Sequence, residues 1–180
     1  MQEDYQLQLS QPASNEIAPF STEQVNALQS FQKALSAKPK KVITEQIGGQ
    51  TFQHIPIGVV ENLLKRYFFG LFKIEIVEHK MIVNEICCHV RIHVFHPILR
   101  QWMFYDGISA VPVQQDAGTK VHQFMETKKK DALHKNLPAA YAFAVKNAAK
   151  KIGTIFGADL NRKHEDGYVP FNTNGEALNQ

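Results

Sequence analysis

From Phe72 to Val113 apolar residues fall at every second position, and this alternation constrains the chain more than any other feature. Phe72, Ile74 and Ile76 alternate with Lys73 and Glu75, a turn is expected near Glu78 to Lys80, and the run MIVNEICCHVRIHVF follows. A break at His96-Pro97 leads into LRQWMFYDGISAVPV, which Pro112 ends or places at a sheet edge. Period two means extended backbone with successive side chains on opposite faces. Three such runs with short connections predict an antiparallel β-meander. Ile82, Ile86, Cys88, Val90, Ile92 and Val94 share one face, and Met81, Val83, Cys87 and Phe95 the other. Both faces therefore ask for cover, from helices of the same chain or from neighbouring subunits.

One cover is legible further on, in NLPAAYAFAVKNAAKKIGTIFGADLNRK, residues 136–163. Wound as a helix, Tyr141, Ala144, Val145, Ala148, Ile152, Ile155 and Phe156 fall on one arc, and Phe143, Lys146, Asn147, Lys150, Lys151 and Thr154 on the facing arc. Pro138 suits a first helical turn and Gly157 a left-handed cap, so the helix is predicted from about 138 to 156. From Ala132 to Ala158 there is no Asp or Glu. A cationic ridge carrying an aromatic and no acid suits a phosphate backbone. The plainer reading of the same lysines is that they keep a surface helix solvated.

Upstream, STEQVNALQSFQKALSA opens with Ser21 three residues before Gln24, a capping-box spacing, and runs as a helix until Pro39. KKVITEQ and TFQHIPI, separated by Gly48-Gly49, read as a hairpin; the glycines lack the Lys-Ser/Thr ending of a nucleotide-binding loop. GVVENLLKRYFF reads as a second helix that Gly70 ends. GTKVHQFMETKKKDALHK has only a weak apolar period and is expected to be a loop or marginal helix. The fold class is thus α+β: a meander of three or more strands and a short hairpin, covered by a long basic helix. A single domain is expected over residues 21–163, between polar tails at 1–20 and 164–180.

Composition narrows the partners. The 180 residues carry a formal net charge of +3, too little for an argument from total charge, but residues 120 to 163 hold ten of the 20 bases against three acids, whereas residues 1 to 30 hold four acids and no base. The adjacent Cys87 and Cys88 cannot form an ordinary disulfide, which favours a reducing compartment. No apolar run is long enough for a membrane span and MQEDYQLQLSQ is not a signal peptide, so a cytoplasmic protein without a membrane partner is expected.

His89, Arg91 and His93 share a strand face with Cys87. Neither a Cys-x-x-Cys nor a His-Glu-x-x-His spacing accompanies them, so this face is expected to be solvated or to pack on a neighbour rather than to hold a metal. A thiol nucleophile at Cys87 would lack an oriented base. No cofactor is expected.

The order helix, Gly-Gly hairpin, helix, meander and basic helix ending in Phe-Gly resembles the single-strand annealing proteins of the Rad fifty-two superfamily, which includes phage annealing proteins. The residues that carry it are VENLLKRYFFG and AVKNAAKKIGTIFGADLN, and the resemblance covers roughly residues 21 to 163. It implies a non-enzymatic subunit of large rings or helical filaments that binds single-stranded DNA with the bases exposed and anneals complementary strands in recombination and repair, consuming no nucleotide. By resemblance Lys150 and Lys151 match the paired basic groove residues, Thr154 stands at the third basic position, and Gln46 and His54 stand where the family has an Arg and an aromatic around the hairpin glycines. Lys146 continues the ridge, and Lys40, Lys41, Lys65 or Arg66 would compensate for the missing bases. The expected partners are single-stranded DNA, further copies of the chain and a host single-strand-binding protein, with a phage or mobile element as the source. Two other readings remain open on the residues alone: a monomeric RNA- or DNA-binding module, and a metal- or thiol-dependent enzyme using Cys87, His89 and His93.

Overall fold

The computed structural model describes residues 20–47 and 49–162; the expected tails and Gly48 lie largely or wholly outside that range. In chain order the elements are α1 (Thr22–Leu35), the hairpin β1 (Ile43–Ile47) and β2 (Gln50–His54), α2 (Ile57–Tyr67), the strands β3 (Phe72–Ile82), β4 (Glu85–His96) and β5 (Gln101–Pro112), a short α3 (Phe124–Thr127) and the long α4 (Ala132–Lys150). Both sheets are antiparallel, β1-β2 and β3-β4-β5, so the class is α+β.

Local chemistry sets the boundaries. Ser21 and Gln24 cap α1 reciprocally: the Gln24 amide donates to Ser21 Oγ at 3.2 Å and the Ser21 amide to Gln24 Oε1 at 2.9 Å. α2 ends where Phe69 (φ 53°) and Gly70 (φ 77°) enter left-handed backbone. The first meander turn is not near Glu78 to Lys80: β3 runs through a bulge at Val77 to Ile82, and the chain reverses at Val83 and Asn84. Val83 turns with φ 54°, a conformation that a β-branched residue rarely takes.

Along β4 burial alternates without a break, with Ile86, Cys88, Val90, Ile92, Val94 and His96 inward. Over this face lie α4, through Ala140, Ala144, Val145, Ala148 and Ala149, and α2, through Val60 and Leu64, with Phe68 just beyond its end. The helix α2 joins the same side as α4, so the opposite sheet face has no cover among the described residues.

The long helix differs from its expected span at both ends. It begins at Ala132, absorbing part of the segment expected to be a loop or marginal helix, and Pro138 sits inside it without an amide for the His134 carbonyl. Asn136 anchors this first half: it is buried, its Nδ2 donates to Pro112 O at 2.9 Å, and its Oδ1 accepts from the Gln114 amide at 3.4 Å. Replacing Asn136 with Ala leaves both main-chain groups unpaired, and urea unfolding is expected to show a loss of about 1–3 kcal/mol. An unchanged midpoint would mean that water replaces the amide at no cost.

At its other end α4 stops at Lys150 and tightens through Lys151 N to Ala148 O and Ile152 N to Ala149 O. Gly153 follows in extended backbone, where a Cβ would lie 2.6 Å from the Leu35 carbonyl oxygen. Ile155 and Phe156 are buried, as the apolar arc requires, but through a separate short turn, Thr154–Phe156, that Gly157 closes at φ 86°.

Candidate nucleic-acid interface

The end of α4 and the β1-β2 hairpin enclose a groove of about 360 Å³. Phe143, Lys146 and Lys150 come from α4 at intervals of three and four residues, which places them on one helix face. Glu45, Phe52 and His54 come from the hairpin. The floor is Phe156, Gly157 and Leu160.

What fastens the hairpin wall is Asn161, next to the floor residue Leu160. In left-handed backbone (φ 68°), it accepts the Gln53 amide on Oδ1 at 2.7 Å and donates from Nδ2 to Gln53 O at 2.8 Å, as a neighbouring strand would. The hairpin edge is thereby fastened to a segment 108 residues away in sequence. On the other wall Asn147 Nδ2 donates to Ile108 O at 3.0 Å, tying α4 to the edge of β5.

The charges that line the groove are those of Lys146, Lys150 and Glu45, with His54 beside them. Burial lowers the pKa of Lys146, the Lys150 charge adds to this, and Glu45 opposes it. Burial likewise lowers that of Lys150, followed by the charge of Arg162. Cations disfavoured by burial and by one another gain when a phosphate arrives. Lys146 Nζ also lies 4.6 Å from the centroid of the Phe143 ring.

Of the residues named from sequence, the structure brings Lys146, Lys150 and His54 together here. Lys151, the helix cap, is exposed and does not line the groove, and Thr154 is half-buried in the following turn. The Gln46 side chain is spent on Thr51 Oγ1 at 2.7 Å, and Arg66 faces a different cleft of about 320 Å³ with Lys40, Lys41, Leu63 and Tyr67. Sequence reasoning missed Phe52, Glu45 and Asn161. Lys146 three residues after Phe143 was a signal for their pairing; nothing local announced Asn161.

The uncovered sheet face carries paired charges beside exposed apolar side chains. Arg91 grips Asp106 with two bonds, 2.7 and 2.9 Å, and lies 4.8 Å from the Phe104 ring centroid. The Arg91 bonds hold the Asp106 pKa at about 2 against its ordinary 3.8, so the stabilisation from this carboxylate is present above its unfolded value and is lost as pH falls through about 2. His93 Nε2 stands 3.0 Å from Glu75 Oε2, and that contact, with Lys73 beside it, lowers the Glu75 pKa. His89 Nε2 is 3.4 Å from Asp106 Oδ1 but is not aligned for a hydrogen bond, and Arg91 Nε already holds that oxygen. Trp102, Phe104 and Ile108 are exposed on the same face. Among the described residues no group of three or more His, Cys, Asp or Glu is placed to hold a metal ion. Cys88 is buried, which pushes its thiol pKa up, away from nucleophilic use.

No protein-family model matches the chain, and no curated protein matches it significantly. Among the described residues no helix is long and apolar enough to cross a membrane.

Proposed function

We propose that the chain binds single-stranded DNA in the groove between α4 and the hairpin and anneals complementary strands without consuming a nucleotide, acting as a homo-oligomer in recombination and repair. The observation that carries this reading is the convergence of Lys146 and Lys150, both disfavoured in their charged form by burial, with the aromatics Phe52 and Phe143 in one concavity. Phosphates relieve the lysines and supply affinity independent of sequence. Holding a strand in place lowers the entropic cost of its meeting a complement. The resemblance to the Rad fifty-two superfamily supports the same reading, with the basic side of α4 as the strand-facing ridge.

Self-association is supported by the uncovered sheet face with Trp102, Phe104 and Ile108, and by the β3-β4 tip, where Ile76, Val77, Met81, Ile82 and Val83 are exposed. Unlike surfaces meeting head to tail give rings or open helices rather than a two-fold dimer. The test is annealing of two complementary oligonucleotides without ATP, with sedimentation of the same sample. The expected result is ATP-independent annealing by a species of more than about six subunits. A stable monomer at micromolar concentration, with or without DNA, contradicts the assembly and the annealing mechanism built on it.

A further inference from the structure

The groove holds more aromatic surface than a phosphate track requires. Phe52 on β2 and Phe143 on α4 are 39% and 47% exposed and contribute nothing to the core cluster, yet both line one concavity. Each ring thus keeps part of its surface accessible in the same concavity as two lysines, where a planar base could cover it.

We propose that the groove takes in one nucleobase per protomer, stacked on Phe143 and Phe52, while the adjoining phosphate lies on Lys146 and Lys150. The inference rests on the reading of the groove as a single-strand site and refines it: one base turns inward and the others stay free to pair. Three observations carry it. Lys146 over the Phe143 ring joins, in one unit, the cation that a phosphate needs and the ring that a base needs. The concavity, about 360 Å³, stands at the small end of ligand sites, which suits one nucleotide rather than a run of them. Of the side-chain amides lining the groove, Asn161 is committed by both polar atoms to the Gln53 main chain and Asn147 by its nitrogen to Ile108 O, which leaves Gln53 to touch a base edge, so stacking rather than a full set of amide contacts carries the grip. A duplex offers such a site no base until a pair is opened, so the groove selects single strands.

The test uses the full chain and a thymine oligonucleotide carrying 5-iodouracil, irradiated in the complex and mapped by mass spectrometry. Crosslinks are expected at Phe143 or Phe52. In parallel, Phe143→Leu, which keeps an apolar side chain at a half-exposed position, is expected to weaken binding of oligothymidine and oligoadenine alike by at least fivefold. A wholly abasic strand should lose clearly less affinity than either oligonucleotide, and the circular dichroism spectrum should stay that of the parent. If the parent binds normally but crosslinks avoid both phenylalanines and Phe143→Leu is neutral, the bases point outward and the inference is overturned while the strand-binding reading stands. If the parent binds no oligonucleotide, both fall.

Discussion

Replacing Gly107 with alanine is expected to cost about 3 kcal/mol or more, a large fraction of the stability of a domain. Gly107 lies in the middle of β5, directly beneath α4, and a Cβ there would run into the carbonyl oxygen of Ala144 and the amide and Cβ of Ala148. The first two are helix backbone, which cannot rotate away. The stripe Ala140, Ala144 and Ala148, each fully buried or nearly so, lets the helix descend until it touches the strand, and Ser109 donates to Ala140 O from the same strand. Relieving the clash means lifting α4 off β4 and β5, which loosens the packing over Val90 and Ile92 and pulls Asn147 from Ile108 O. Denaturant unfolding of Gly107→Ala checks the magnitude, with Ser109→Ala as a milder comparison at about 1 kcal/mol. Adding Ala148→Gly removes only the side-chain contact, so the double variant is expected to remain destabilised. A Gly107→Ala protein that unfolds within about 1 kcal/mol of the parent would show that α4 has room to rise, contrary to the packing described.

That close approach was invisible along the chain. A glycine inside a strand pattern announces that something comes near, but what comes near Gly107 lies some forty residues later, in a helix whose own alanines look like mere helix formers. Periodicity served well where burial is regular: the unbroken alternation of β4 made the meander legible, and the capping box at Ser21 placed the start of α1. It served poorly where backbone strain substitutes for turn chemistry. Val83 carries the β3-β4 reversal at positive φ without a glycine, so the reversal was expected several residues early. Pro138 read as a helix start because an internal proline forfeits a hydrogen bond, a loss here accompanied by the side-chain anchors of Asn136. Ile152, Ile155 and Phe156 continued the apolar arc because burial alone cannot distinguish one long helix from a helix, a break at Gly153 and a short turn. The same limit blurred the site. The facing arc placed Lys146, Lys150 and Lys151 together, but Lys151 stands at the rim of that arc, about 100° round the helix from Lys150, and does not line the groove.

That separation yields the prediction with the largest expected effect on binding. The double replacement Lys146→Ala and Lys150→Ala is expected to weaken single-strand binding at least tenfold, about 1.4 kcal/mol or more, while Lys151→Ala changes it by less than about twofold. The asymmetry follows from position. Lys146 is half-buried and Lys150, though as exposed as Lys151, shares the groove with it, where each disfavours the charge of the other; Lys151 lies outside the groove. Two lost phosphate contacts should also flatten the dependence of log affinity on log salt by about 1.4 for a single strand. Because the contacts are to backbone, oligonucleotides of different sequence should lose affinity alike. Removing two groove cations whose charge is penalised should not destabilise the fold, so an unfolding midpoint at or above that of the parent is the accompanying control. The binding titration at several salt concentrations decides: equal losses for Lys151→Ala and for the groove pair would mean that the ridge acts only as diffuse positive charge, and an unaffected double variant would move the strand off this groove altogether.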